Sequence, residues 1–242
     1  TDIDQTRQDA EHVAWTPQLL VECVQIIIYE SQSKTIPVVR VPSKTSFDYM
    51  QWAMDAGAGG IIVPHMETAE EVKQVIAACR FPPLGHRSYP PFTFVPGLND
   101  RTPEGDTIFT VANKHIAIIP QIESAKGVEN LAEIVAFDEV SAFMIGAGDL
   151  RLDLGLPQGL SGKEPSWLHS IEVCSKVAKE RNIPIVGIAI GAELLKQRID
   201  EGFKMLITWM DMYALAFGIM NDLASGRATA EEHLKNKAAK GE

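Results

Sequence analysis

One stretch of the sequence, residues 115–150, constrains the fold more than any other. An apolar run at residues 115–122 leads directly into Glu123, and a second apolar run at residues 142–145 is soon followed by Asp149. The segment between the two runs has helical spacing, so the runs are separated by about one β-α-β unit. Such a unit predicts two neighbouring parallel strands, and α/β folds keep their functional groups at the carboxyl ends of such strands.

Glu123 and Asp149 are the two acids that this unit would bring together above the sheet. Carboxylate oxygens are the ligands that hard divalent ions prefer, so we predict a site for Mg²⁺, with Mn²⁺ or Co²⁺ as alternatives. Gln121 lies two residues before Glu123, and its side chain should therefore point to the same side of the strand. We expect Gln121 either to position a ligand or to fill an interior layer of a barrel.

The rest of the chain predicts an α/β barrel. Strand-like segments alternate with helical ones at residues 36–41, 61–63, 115–122, 142–145, 184–190 and 204–210. Eight strands would close a barrel, and residues 1–16 are polar and predict a loop. We therefore expect a single domain over residues 1–242 whose first strands are poorly represented, with a helical tail over about residues 212–242.

Composition restricts the classes of function. A net charge of −10 argues against non-specific binding to nucleic acid but not against an anionic substrate. The three cysteines have no CxxC spacing, which favours reduced thiols and a cytoplasmic location. No apolar run approaches the 18 residues or so of a membrane span, and the polar opening does not read as a signal peptide.

Small residues precede the second acid. Gly146, Ala147 and Gly148 would let backbone N–H groups approach an anion, which suits the carboxylate of a substrate. A dinucleotide site is the competing interpretation, but its third glycine is missing because Arg151 stands at that position.

Three further features are candidates for the site. Arg40 interrupts an apolar strand, so it either pairs with acids inside the barrel or reaches a bound oxyanion. Asp9 and His12, in the sequence Asp-Ala-Glu-His, are the residue types that form a general base, a histidine oriented by an acid. A solvated loop without function could have the same sequence. His65 ends the strand at residues 61–63 and either lines the pocket or caps the following helix.

Several segments together resemble one known family. The sequences DAEH, PVVRVP, DAGAGGIIVPH, ETAEEV, PPLGHRS, PQIES, GVENLAEI and MIGAGDL, spread over residues 9–224, closely resemble the HpcH/HpaI aldolase family. That family is the metal-dependent branch of the TIM (β/α)8 barrels that bind pyruvate or phosphoenolpyruvate. Residues 85–88, Thr93–Phe94 and Pro96–Gly97 are most similar to its fungal macrophomate synthase subgroup.

The resemblance implies a role for each candidate. It makes Glu123 and Asp149 metal ligands, Arg40 the residue that steadies the enolate, and His12 the acid/base. Asp9 would support His12, and Glu11 would lie next to this pair without contacting the substrate. The turn at residues 146–148 would hold the substrate carboxylate, and Gln121 and His65 would line the pocket. The implied partners are a 2-keto acid such as pyruvate or oxaloacetate, an aldehyde, and further copies of the chain in a trimer or hexamer.

Three functions follow from this reading. The first is a class II, metal-dependent aldolase of 4-hydroxy-2-keto acids that also decarboxylates oxaloacetate. The second is a decarboxylase and annulase of secondary metabolism of the macrophomate synthase type, which is weakened because Thr107 and Phe109 stand where a tyrosine is expected. The third is a catalytically silent binding subunit, motivated by Val13 in place of the family's glycine and by the polar residues before Asp9.

Overall fold

The computed structural model describes residues 5–90 and 102–240, so Thr93–Phe94 and Pro96–Gly97 lie outside the described residues. All seven strands found there run parallel in one sheet, in the order of the chain. They are β1 (Gln5–Asp9), β2 (Ile36–Arg40), β3 (Gly60–Val63), β4 (Ala117–Ile122), β5 (Phe143–Ile145), β6 (Ile185–Ile188) and β7 (Met205–Ile207). The prediction of a parallel α/β barrel of the TIM type is confirmed. Among the described residues β1 and β7 are not paired, so the sheet is an open seven-stranded form of that barrel.

Strand β1 corrects the prediction that residues 1–16 form a loop. It pairs with β2 in a register that sets Gln5 opposite Ile36 and Asp9 opposite Arg40. An apolar pattern is missing because β1 is held by backbone hydrogen bonds and by ion pairs instead: the Asp9 carboxylate binds the Arg40 guanidinium on the neighbouring strand. Charged cross-strand pairs stabilise sheets but leave no hydrophobic period in the sequence.

The sheet is curled into a barrel. Arg7 Nη1 on β1 lies 3.8 Å from the Met144 sulfur on β5. In a flat sheet these two strands would be separated by four strand spacings, about 19 Å, so the contact requires the sheet to curl around an interior. Arg7 and Asp9 alternate with Gln8 and therefore face that interior.

Apolar residues fill two layers, one on each side of the strands. The interior layer comprises Val38, Ile62, Ile119, Ala142, Met144 and Val186. The outer layer packs the strands against the helices and includes Val39, Ile61, Ile118, Ile122, Phe143 and Ile185. Because both faces of the central strands are buried, their sequences are continuous apolar runs, as expected of parallel sheets.

Helices follow most of the strands. They are α1 (Pro17–Glu30), α2 (Phe47–Ala56), α3 (Ala69–Cys79), α4 (Ile108–His115), α5 (Ala125–Glu129), α6 (Leu131–Ile134), α7 (Ala147–Asp153), α8 (Pro165–Arg181), α9 (Ala192–Asp200) and α10 (Asp211–Lys240). A capping box formed by Thr68 and Glu71 begins α3. Gly57 ends α2 with a φ of 107°, a conformation that only glycine adopts without strain. No described helix has the length and apolarity needed to cross a bilayer.

Two of the connections between strands contain helices that matter for the site. Helix α4 precedes β4 and begins where Thr107, as an N-cap, accepts a hydrogen bond from the Thr110 N–H. Helix α7 follows β5 and ends at Asp153. The position of α7 matters for the site, because its first turn carries Asp149.

Candidate active site at the carboxyl ends of the strands

The two acids predicted from the central stretch follow neighbouring strands. Strands β4 and β5 are parallel partners, with Ile122 opposite Ile145, which confirms the predicted β-α-β unit. Glu123 directly follows β4 and is almost fully buried. Asp149 lies in the first turn of α7 and is exposed.

Gly146 lets the chain pass close to Glu123. A Cβ added at Gly146 would collide with the Glu123 carboxylate and Cβ and would lie 3.0 Å from Gln121 Nε2. Glycine is therefore required here by close approach rather than by backbone conformation. The Gly146 N–H donates to the Ile122 carbonyl at 2.9 Å, so Gly146 itself offers no N–H to an anion.

Ala147 and Gly148 begin α7, where N–H groups have no partner within the helix. The Ala147 side chain is buried in the outer core layer, which fixes the start of the helix. Gly148 has open space around it, since a Cβ built there meets nothing within 4 Å.

Arg40 forms the centre of an ion cluster at the ends of β1 and β2. Arg40 Nε donates to Asp9 Oδ1 at 3.0 Å, Nη2 also binds that carboxylate, and Nη1 lies 2.7 Å from Glu11 Oε2. The Arg40 side chain is only 7% exposed, so these acids are what make its burial tolerable. The first of the contacts expected for Arg40, the pairing with acids, is present in the structure.

Asp9 is oriented toward Arg40 rather than toward the His12 ring. Its Oδ1 accepts from the Glu11 backbone N–H at 3.1 Å and from the His12 backbone N–H at 3.5 Å. Burial raises the pKa of the Asp9 carboxyl, but hydrogen bonding and charge from Arg40, helped by Arg7, outweigh it and leave the pKa below its ordinary value.

The His12 ring projects into solvent beside Glu11. Its Nε2 lies 3.7 Å from Glu11 Oε2, and the side chain is 65% exposed. The expected Asp9–His12 pair is thus replaced by a loose Glu11–His12 approach.

Glu123 is bound on both of its oxygens. Oε1 accepts from the His65 backbone N–H at 2.6 Å, and Oε2 accepts from Gln121 Nε2. Burial raises the pKa of the Glu123 carboxyl and the negative charge of Glu11 adds to the effect, whereas the Gln121 and His65 contacts oppose it. Gln121 itself is buried and its Oε1 has no hydrogen-bond partner.

His65 links the two halves of the site. Its Nδ1 lies 3.4 Å from Glu123 Oε1 and its Nε2 lies 3.4 Å from Glu11 Oε1. Within residues 5–90 and 102–240, the group of candidate ligand side chains lying within 4.8 Å of one another is Glu11, His65 and Glu123. Asp149 is not part of this group.

Lys44 is a residue of the site that the sequence did not reveal. Its Nζ donates to the His65 carbonyl at 3.1 Å and also binds the Glu71 carboxylate. Nothing in the sequence near Lys44 marks it as the partner of that acid. The contact joins the loop after β2 to the loop after β3.

Comparison with known proteins agrees with this architecture. The family model described as HpcH/HpaI aldolase/citrate lyase matches residues 9–212. A 4-hydroxy-2-oxovalerate aldolase of Novosphingobium aromaticivorans is 29% identical over 90% of this chain and 80% of its own length. A 4-hydroxy-4-methyl-2-oxoglutarate aldolase of Chaetomium globosum is 37% identical over 50% of this chain, and the match spans 45% of that relative.

Among solved structures, macrophomate synthase superposes with a TM-score of 0.89. It is 32% identical in sequence, and the match covers 96% of this chain and 79% of that one. The segment that the family model matches includes β2 to β7, the last residue of β1, and the Asp9, Glu11 and Arg40 side chains of the ion cluster. The chain belongs to the HpcH/HpaI aldolase/citrate lyase family.

Proposed function

We propose that this chain is a divalent-metal-dependent lyase that breaks the carbon–carbon bond between C3 and C4 of a 2-keto acid. The substrates that we infer are 4-hydroxy-2-keto acids, cleaved to pyruvate and an aldehyde, and oxaloacetate, which loses CO₂. The observation that carries the proposal is the buried Arg40 held between Asp9 and Glu11 at the same end of the barrel as Glu123. Family membership and the substrates named for the two aldolase relatives support the same class.

The donor atoms fit a hard divalent ion. Glu123 and Asp149 would hold it, with Mg²⁺ the first choice and Mn²⁺ or Co²⁺ the alternatives. The unpartnered Gln121 Oε1 adds a neutral oxygen beside Glu123, and Gly146 leaves the Glu123 carboxylate uncrowded. When bound, such an ion polarises the keto oxygen and stabilises the negative charge that develops there.

The residues of the chain supply the rest of the chemistry. Arg40 adds a fixed positive charge where the oxyanion develops, and one such contact is typically worth about 2.7–4 kcal/mol of barrier. Its position is set before the substrate binds, because Asp9 and Glu11 already hold the guanidinium. The N–H groups of Ala147 and Gly148 would hold the substrate carboxylate.

His12 would act only in the aldol reaction. Retro-aldol cleavage requires removal of the proton on the 4-hydroxyl, which His12 would accept, whereas CO₂ leaves oxaloacetate without a proton transfer to a base. Replacing His12 with Ala should therefore reduce aldol cleavage far more than oxaloacetate decarboxylation. Measuring both rates on one preparation tests this, and an equal loss of both would contradict the role given to His12.

A direct assay tests the class of reaction. The full chain is incubated with oxaloacetate and Mg²⁺, with and without chelator, and pyruvate is measured. Pyruvate release that stops with chelator supports the proposal, and consumption of pyruvate on addition of an aldehyde then identifies an aldolase. Decarboxylation without any aldol reaction would favour the decarboxylase reading, which the similarity to macrophomate synthase motivates. No turnover with Mg²⁺, Mn²⁺ or Co²⁺ would favour a silent subunit.

We also infer that the chain acts as a homo-oligomer, a trimer or hexamer, built on one barrel domain with α10 as an appendage. The side chains of residues 211–239 are all exposed. They include a large apolar set, each at least half exposed: Met212, Tyr213, Leu215, Phe217, Ile219, Met220 and Leu223. An apolar surface of this extent marks a protein interface.

Sedimentation of the full chain tests the oligomer. Leu215→Asp combined with Ile219→Asp should lower the molecular mass in solution, while Ser225→Asp on the same helix serves as the matched control. A monomeric parent chain would exclude this part of the proposal. A cytoplasmic location is inferred from the three free cysteines and is tested by fractionation.

A further inference from the structure

Arg7 is a charged residue inside the barrel that the proposed function leaves unused. It lies two residues before Asp9 on β1 and therefore points to the same, interior side of the sheet. Its guanidinium reaches across to β5, where Nη1 lies 3.8 Å from the Met144 sulfur. Met144 is the register partner of Gln121, whose amide binds the Glu123 carboxylate. The guanidinium thus lies between the Asp9 side of the site and the Glu123 side.

The contacts of the Arg7 guanidinium do not satisfy it. A guanidinium has five N–H donors, and among the residues that the structure describes two contacts use them. One is the contact to the thioether sulfur, a weak acceptor, and the other runs from Nη2 to Asp9 Oδ2 over 3.4 Å, which is long for a hydrogen bond. The side chain is nevertheless only 13% exposed. The burial of this charge is therefore poorly compensated.

Asp9 is already satisfied by donors other than Arg7. Its Oδ1 accepts from Arg40 Nε and from two backbone N–H groups, and its Oδ2 accepts from Arg40 Nη2. Each nitrogen of the Arg40 guanidinium in turn binds Asp9 or Glu11. Burial lowers the pKa of the Arg7 guanidinium to about 10, and the charge of Arg40 adds to the effect, whereas Asp9 and Glu11 oppose it. Arg7 is thus charged near neutral pH and has donors to spare.

We propose that Arg7 is a specificity-determining residue that binds a second carboxylate of the substrate, at the end remote from the keto group. The inference rests on the proposed function and narrows its substrates to 4-hydroxy-2-keto acids with a distal carboxylate. The planar fork of an arginine binds a carboxylate through two parallel hydrogen bonds. A carboxylate, with one charge, matches one guanidinium, whereas a phosphate would bring further negative charge close to Asp9.

The cleavage of such a substrate leaves the contact to Arg7 unchanged. When the C3–C4 bond breaks, its electron pair moves to the keto oxygen, the 4-hydroxyl proton goes to His12, and the enolate then takes up a proton to give pyruvate. The carbon that carried the hydroxyl becomes the carbonyl of a second product, which keeps the distal carboxylate. Because Arg7 would hold that carboxylate equally before and during the reaction, its loss should raise KM and leave kcat nearly unchanged.

Titration calorimetry with two ligands that cannot be cleaved tests the inference. 2-Oxoglutarate and 2-oxopentanoate have the same chain length and both lack the 4-hydroxyl, but only the first has a distal carboxylate. We expect the full chain, loaded with Mg²⁺, to bind 2-oxoglutarate about 10–100-fold more tightly than 2-oxopentanoate. Arg7→Met and Arg7→Gln should abolish the preference. Arg7→Lys should retain part of it, because the positive charge remains.

Lys126→Met is the matched control. It removes an exposed cation that follows β4 and pairs with Glu67, so it changes the net charge equally and should keep the preference. Circular dichroism confirms that each variant folds. Equal affinity for the two ligands in the parent chain, or an unchanged preference in both neutral Arg7 variants, overturns the inference. If both ligands bind only with Mg²⁺ and without preference, the proposed function stands and only the inference fails. If neither binds with Mg²⁺, Mn²⁺ or Co²⁺, the proposed function fails with it.

Discussion

Replacing Arg40 with Met tests whether the guanidinium holds β1 in place in addition to the catalytic role proposed for it. Met fills much of the space of the arginine stem but leaves the Asp9 and Glu11 carboxylates without their cation. Removing one partner of a buried ion pair costs about 3–5 kcal/mol of stability. Because the Asp9 side chain remains 25% exposed, we take the lower end, about 3 kcal/mol near neutral pH.

The loss should also depend on pH with a defined sign. In the parent chain the pKa of Asp9 is lowered, so its ionisation adds stability above the unfolded-state pKa of about 3.9, and that stability disappears as pH falls through the folded-state value. In Arg40→Met, burial dominates and should raise the pKa of Asp9 above the unfolded value. Ionised Asp9 then destabilises the variant near neutral pH, and protonation relieves this as pH falls. The deficit of the variant should therefore be smaller at about pH 5 than at about pH 7.

Urea unfolding of chelator-treated protein, followed by circular dichroism at both pH values, measures this. A deficit of about 3 kcal/mol and a slope of about 3 kcal/mol per M shift the midpoint by about 1 M. Lys73→Met is the control, because it breaks an exposed ion pair with Glu70 and should change stability by less than about 0.5 kcal/mol. The reasoning is refuted if Arg40→Met resembles the control, or if its deficit is the same at both pH values.

Two further predictions concern packing. Gly146→Ala should weaken Mn²⁺ binding at least about tenfold while the protein stays folded, because the added Cβ displaces the Glu123 carboxylate. Gly148→Ala is the control and should not weaken binding, because the space around Gly148 is open. Titration calorimetry compares the two variants. Burial raises the pKa of the Cys79 thiol to about 11 and that of the Cys174 thiol to about 12. A thiol reagent at about pH 8 should therefore modify only the half-buried Cys23 in the native chain, and all three cysteines in denaturant. Fast modification of two or more native thiols would contradict the burial of Cys79 on α3 and Cys174 on α8.

The sequence predicts the central unit of the fold because its physical causes are local. Strands β4 and β5 are buried on both faces and appear as apolar runs, and the acids that follow them mark the carboxyl ends of the strands. The capping box of α3 is equally local, since the side chains that form it are three residues apart. These features require no knowledge of distant contacts.

The parts that were missed depend on contacts between distant residues. Strand β1 has no apolar period because a charged partner on β2, 31 residues away, holds its last residue. The meeting of His65 with Glu11 requires the sheet to curl, since the residues follow strands that are not neighbours. Helix α4 is signalled only by Thr107 and Thr110, and none of its residues is buried, so no amphipathic pattern strengthens the signal.

The contacts that would prepare Arg40 for the proposed reaction also hold β1 on the sheet, so the proposed function and the stability of the fold are coupled at this edge of the barrel. A strand with a polar sequence gains little from burial, and its attachment depends on its backbone ladder with β2 and on the Asp9–Arg40 pair. Any substitution that frees the guanidinium for a substrate also loosens the strand that carries Asp9 and leads to Glu11. A variant selected for stability at Arg40, for example an apolar residue paired with Asp9→Asn, would therefore restore β1 while removing the charge that the proposed reaction requires.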